Sequence, residues 1–299
     1  MMTEQLQNQM QDNLQPLVTV AMPVYNAGNY LRLAVLSIVK QTFTDWEMLI
    51  IDDGSTDNAL DSIADIQDCR IHIIKDGANK GLAARLNEAI DLARGQYLAR
   101  MDQDDVSYPE RFERQVQALQ MGLDLDLVAV QSITISSNNQ LTGLLPCAVS
   151  NEEIYAKPWS GFYLPHPTWM GKIAWFRKYR YATPGPYFCE DQELLLRSYD
   201  KSRFFIIMEP LFAYRIRDLK NWRKLIKTRF AVLSIQLQHF KNRNQVYFVF
   251  MAICSFFVRL LLDVLKQVSS ITYPIIKVQN QELTSKWQNV LNFIENGNR

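Results

Sequence analysis

At 299 residues the chain can hold one large α/β domain, or a catalytic domain with an appendage. Apolar residues make up 48%, ample for a core, and a net charge of +1 gives no electrostatic footprint for nucleic acid. The four cysteines (Cys69, Cys147, Cys189, Cys254) and three histidines (His72, His166, His239) have neither disulfide-framework nor metal-ligand spacing, which excludes a disulfide scaffold and a zinc site.

Residues 1–15 are rich in Gln and Asn and read as a disordered leader with no secretory signal, so a cytoplasmic start is expected. Leu17 to Met22 is a β-branched run that predicts a first strand closed by Pro23. Leu31, Ala34, Val35, Ile38 and Val39 then recur at helical spacing. Trp46 to Ile51 predicts a second strand ending in Asp52-Asp53-Gly54-Ser55-Thr56-Asp57, with Ser55 or Thr56 capping a helix that carries Leu60, Ile63 and Ile66. A third strand is expected over Arg70 to Ile74, and an amphipathic helix over Gly81 to Arg94, stopped by Gly95.

Tyr97 to Asp105 (YLARMDQDD) follows, a short strand ending in Asp102, Asp104 and Asp105. Like charges this close repel unless a cation lies between them, and oxygen-only ligands suit Mg²⁺ or Mn²⁺. Pro109 opens another helix, Leu127 to Ile135 is the next strand, and Asn138-Asn139 marks a hairpin turn. Prolines then thicken into shaped loops before a helix from Glu190 to Tyr199 and a strand from Arg203 to Met208. Strand–helix alternation with short connections implies a mainly parallel, Rossmann-like sheet flanked by helices. Ligands bind such sheets beyond the carboxyl ends of the strands. Acidic groups stand there after two strands, so one can serve a base or ribose and the other a metal.

In VTVAMPVYNAGNYLRLAVLSIVKQTFTDWEMLIIDDGSTD (18–57), NKGLAARLNEAIDLARGQYLARMDQDD (79–105), Pro109-Glu110-Arg111 and Glu190-Asp191, the chain resembles the family-2 glycosyltransferases with the GT-A fold. The resemblance implies that Pro23, Tyr25 and Asn26 line a nucleotide pocket, with Asp52 and Asp53 gripping base and ribose and Lys80 and Arg85 beside it. It implies that Asp102 and Asp104 carry a divalent ion on the donor's diphosphate, extended by Asp105. Asp191 would be the general base, with Glu190 next to it, and the product would have inverted configuration. The donor would be a nucleotide-diphosphate sugar, a UDP-sugar foremost, and the acceptor a saccharide or a lipid-linked one. Residues 16–125 would bind the donor, 126–220 the acceptor, and 221–299 would form a helical hydrophobic appendage.

Some residues carry two readings. Arg85 either offsets phosphate charge or is an ordinary helix-surface residue. Glu190-Asp191 is either catalytic or a helix-capping pair. His166 either contacts substrate or is held by local hydrogen bonds. Where many relatives place a His after the late Tyr-Arg pair, this chain has Arg217. Val246 to Val258 is apolar for thirteen residues, about 20 Å of helix and short of a bilayer core. It lies on the inner face of the cell membrane or packs on the catalytic domain. Other functions that stay open are a sugar-nucleotide nucleotidyltransferase, although MPVYNAGNY has no Gly-rich phosphate loop, and a silent scaffold of a polysaccharide assembly complex.

Overall fold

The computed structural model describes residues 15–148, 150–216, 222–269 (side chains to Leu265) and 281–297. Among the described residues nine strands form one sheet: β1 Val18–Val24, β2 Trp46–Asp52, β3 Ile71–Lys75, β4 Tyr97–Arg100, β5 Val106–Ser107, β6 Leu127–Ile135, β7 Leu141–Leu144, β8 Met170–Lys172 and β9 Phe204–Arg215. The helices are α1 Leu31–Val39, α2 Leu82–Leu92, α3 Arg111–Gln120, α4 Asn151–Ala156, α5 Ile173–Lys178, α6 Glu190–Ser198, α7 Trp222–Asn242, α8 Val246–Ser269 and α9 Gln281–Asn296. Strand order is β3-β2-β1-β4-β8-β6-β9-β5, with β7 paired to β6. The first four are mutually parallel, as the alternation predicts, so β1, β2 and β4 end on one edge. Because β8 runs antiparallel to β4, the segment just before β8 lies at that same edge.

Period-2 alternation sends Val18, Val20 and Met22 to one face, against α1, α3 and α9, and Ala21 to the other, against α2, α6, α7 and α8. Every residue of β1, β2, β4 and β6 is buried, which is why these strands read as apolar runs.

Several local readings are corrected. Pro23 does not close β1; the strand runs on to Val24, with Pro23 in register opposite Ile51. The helix expected after Thr56 is only the 3₁₀ turn Ala59–Ile63, and neither Ser55 nor Thr56 caps it, both being drawn to Asn26. Gly95 is not a helix stop: a Cβ there would lie 2.6 Å from the Thr19 nitrogen, so glycine is needed for close packing. β9 continues past Met208, and the ladder to β6 slips register beside Pro210, which has no N–H to give. The largest correction lies at the end of the chain. α9 is no appendage, since its Trp287, Val290, Leu291 and Ile294 belong to the core beside α1. The expected leader and Arg217 lie outside the described residues.

Candidate active site

The loop after β1 and the loop after β2 are fastened to each other. Asn26, at φ +49°, turns its Oδ1 to accept from the Thr56 N–H (2.8 Å) and the Thr56 hydroxyl, while its own N–H donates to Ser55 Oγ. Asp52 Oδ1 accepts from the Ser55 N–H at 3.0 Å. Tyr25 is 47% exposed at the rim, and its backbone exchanges two hydrogen bonds with the Gln103 side chain, at 2.6 and 2.9 Å. Gln103 thus clamps the end of β1 to the acidic turn after β4. Nothing in its sequence context marked it.

Asp53 is buried and accepts from the N–H groups of Lys80 and Gly81 at the start of α2, and from Arg85 Nε at 2.9 Å. Arg85 is neither a surface residue nor a cation available for phosphate. Its side chain is fully buried and also pairs with Asp76 (2.6 Å) and Glu88 (2.7 Å). Lys80 reaches Asp76 as well, at 2.5 Å. One guanidinium therefore ties three carboxylates and fixes the loop from Asp76 to Gly81 against the end of β2. Arg85→Met would strand Asp53 in the interior, and a loss of about 3 kcal/mol is expected in urea unfolding, with an unchanged m-value.

The turn after β4 is held by two buried arginines. Arg111, from the Pro109-Glu110-Arg111 stretch, donates to the carbonyls of Arg100 and Pro167, and so ties the end of β4 to the loop before β8. Burial lowers its pKa to about 9. Arg215, at the end of β9, gives its N–H to Asp105 Oδ1 (2.7 Å) and its Nε–H to the Asp104 carbonyl (2.7 Å). Asp102 pairs with Arg100 at 2.7 Å. Asp105 is 1% exposed, and its Oδ2 is buried without a partner among the described residues. Burial, with Asp102 and Asp104 beside it, holds this carboxyl well above the usual range.

Among the described residues no three acidic, His or Cys side chains form a ready metal cage. A Mg²⁺-like ion needs only one or two carboxylates when substrate phosphates complete its shell. The partnerless Asp105 oxygen beside two further carboxylates fits such an ion, which would lift the mutual repulsion.

Glu190 and Asp191 open α6, yet no side chain caps this helix. Both carboxylates instead take backbone N–H groups of the first turn, Asp191 those of Gln192 and of itself. A helix N-terminus favours carboxylate anions, but here desolvation outweighs it: burial pushes Glu190 up to about 6 and raises Asp191. Gln192 Nε2 donates to Asp191 Oδ2 at 3.1 Å. His166 lies in the segment before β8, with Nε2 2.8 Å from the Tyr181 hydroxyl and Nδ1 3.9 Å from Glu190. Burial, reinforced by Arg100, keeps its imidazole neutral. The fold thus gathers Asp102, Asp105, Glu190, Asp191 and His166 around Arg100, at the carboxyl edge of the parallel strands. Asn26 and Asp52, joined through Ser55, and Asp53, held by Arg85 and the start of α2, form a separate rim at the ends of β1 and β2.

Comparison with known proteins places this arrangement. The pattern of glycosyl transferase family 2 matches residues 19–181. An uncharacterized glycosyltransferase of Methanocaldococcus jannaschii is 32% identical over 253 residues, 78% of this chain and 84% of that relative. The UDP-Glc:alpha-D-GlcNAc-diphosphoundecaprenol beta-1,3-glucosyltransferase WfgD of Escherichia coli is 35% identical over 100 residues, 33% of this chain and 40% of WfgD. Among solved structures, the mannosyltransferase PcManGT of Pyrobaculum calidifontis, in complex with GDP-Man and Mn²⁺, superposes with a TM-score of 0.57 at 14% identity. That match covers 94% of this chain and 86% of PcManGT, and it shows a shared fold. The chain belongs to glycosyltransferase family 2 and has the GT-A fold.

Proposed function

We propose that this glycosyltransferase moves a sugar from a nucleotide diphosphate, a UDP-sugar first, to a hydroxyl of a saccharide or lipid-linked acceptor, with inversion. The observation that carries this reading is the meeting, around Arg100, of the acidic turn after β4 and the desolvated Glu190-Asp191 pair. Residues 16–125 bind the donor and 126–220 shape the acceptor side. Asp191 takes the proton of the acceptor hydroxyl, whose oxygen bonds to the anomeric carbon as the bond to the diphosphate oxygen breaks on the opposite face. A desolvated carboxylate suits this work because its raised pKa brings it nearer to neutrality. Asp102, Asp104 and Asp105 are the residues that would hold Mg²⁺ or Mn²⁺, which when bound neutralises charge on the departing diphosphate. Asn26, Asp52 and Asp53 keep the nucleotide rim rigid. The test is a panel of sugar nucleotides with Mn²⁺ or Mg²⁺ and saccharide or lipid-linked acceptors. Release of nucleoside diphosphate is expected. No binding of any sugar nucleotide by calorimetry, metal present, would sink the reading.

We further propose that α8 rests on an anionic membrane surface, as the likeness to WfgD, whose name contains a diphosphoundecaprenol acceptor, would suit. The thirteen-residue count stopped short at Arg259: by length and composition the 20 residues Val246–Leu265 could cross a bilayer. Their polarity supports a surface position instead. Arg259 reaches Ser160 and Tyr163, and Asp263 pairs with Arg229 at 2.9 Å, so both charges turn toward the protein. Phe250, Phe257, Val258 and Leu261 turn outward, each more than half exposed. A helix that is polar inward and apolar outward matches a headgroup boundary. Full-length protein should float with anionic vesicles and be released by carbonate, whereas Phe250→Glu/Phe257→Glu should stay in solution. Wild-type protein that ignores vesicles would place this face elsewhere.

A further inference from the structure

Arg100 ends β4 and is 4% exposed. Its Nη2 pairs with Asp102, but its Nε and Nη1 are buried with no partner among the described residues. Two other arginines buried in this edge, Arg85 and Arg111, are treated differently. Arg85 has a carboxylate for each of its three nitrogens, and the Arg111 nitrogens reach Gln115, the Met101 sulfur and two carbonyls. A buried guanidinium with unmade N–H bonds is unfavourable, so a site that keeps one needs something to fill it. Alternation along β4 turns Arg100 to the same side as Leu98, where α2, the segment before β8 and the start of α6 pack. From there its charge acts both on Asp102 and Asp105 of the acidic turn and on Tyr181 and Glu190.

We propose that Arg100 binds the transferred sugar, donating its Nε–H and Nη1–H to oxygens on the sugar ring of the donor. This rests on the glycosyltransferase reading above and names the sugar contact within it. A guanidinium offers donors only, so its ligand must present acceptor oxygens. The position selects which oxygens. The acidic turn after β4 is where a diphosphate-bound ion would sit, and Glu190-Asp191 is where the acceptor hydroxyl would lose its proton. The ring undergoing in-line displacement lies between those two groups, and so does Arg100. Asp102 holds one edge of the guanidinium, which leaves the remaining N–H bonds pre-set and avoids ordering a long side chain at binding. A nucleoside diphosphate without the sugar does not reach these donors.

The experiment uses the full-length chain and two variants, Arg100→Met and Arg100→Lys, with calorimetry in Mn²⁺. Each is titrated with UDP and UDP-glucose, then with GDP and GDP-mannose, and thermal melts serve as a folding control. Arg100→Met should weaken binding of the sugar nucleotide by about 10–100-fold, the range of one or two lost charge-assisted hydrogen bonds. Binding of the sugar-free diphosphate, which feels Arg100 only through its pairing with Asp102, should change far less than binding of the sugar nucleotide. Arg100→Lys keeps a charge for Asp102 but loses the fork, and should show the same selective loss in smaller measure. Equal losses for diphosphate and sugar nucleotide, or none, overturn the assignment. So does a failure of both variants to fold, which would make Arg100 a residue of the fold alone. If wild-type protein binds no member of the panel, the glycosyltransferase reading fails rather than the sugar contact.

Discussion

Asp191→Asn is expected to lower kcat by about 10²–10⁴-fold while leaving sugar-nucleotide affinity nearly unchanged. Asparagine fills the same space at the start of α6 and still meets Gln192, but it cannot take a proton. The loss should therefore fall on the step in which the acceptor hydroxyl is deprotonated. Glu190 provides the contrast. It lies on the His166 side and burial pushes it up to about 6, so wild-type kcat/KM should fall on acidification through that region if Glu190 must be ionised. Stability follows the opposite course. Below pH 4.5 both folded and unfolded chains hold the Glu190 proton, whereas between 4.5 and 6 the folded chain binds more of it. Stability contributed by this group is thus lost as pH rises through that window, by about 2 kcal/mol. Near-normal kcat in Asp191→Asn, with the loss appearing in Glu190→Gln instead, would move the base one residue back.

Much of this edge was legible in the sequence, and for one reason. Strands buried on both faces are mostly apolar, so β1, β2, β4 and β6 announce themselves, and so do carboxylates placed where those runs stop. The failures share a cause too. Ser55 and Thr56 carry a genuine capping signal, but a capping side chain and one that bonds a neighbouring loop look alike until Asn26 is brought beside them. Arg85 reads as a helix-surface residue because two of its three carboxylate partners, Asp53 just after β2 and Asp76 just after β3, come from outside its helix. His166 reaches the site only because β8 runs against β4, a reversal that no periodicity encodes. Arg100 reads as a stray polar residue in an apolar run until the topology puts α6 opposite it.

Trp287→Ala should destabilise the folded chain by about 3–5 kcal/mol, the usual cost of emptying a large buried aromatic site. Trp287 is fully buried, stacks on Tyr108 at 6.0 Å and donates its Nε1–H to the Asn139 carbonyl at 2.7 Å. Its neighbours hold the same helix down: Lys286 pairs with Glu209 at 3.0 Å, and Lys40 donates to the Gly297 carbonyl at 2.7 Å. The melting temperature should fall by about 5–10 °C. Trp287→Phe should lose less, because the ring is kept and only the hydrogen bond and part of the volume go. An unchanged melt for Trp287→Ala would mean that α9 does not dock. The consequence for α8 is practical: cutting the chain before Lys241 removes α9 as well, uncovering Tyr108 and the α1 face it covers. Such a truncation should aggregate whether or not α8 touches a membrane. Only substitutions on the outer face of α8, with α9 left in place, separate membrane contact from the integrity of the core.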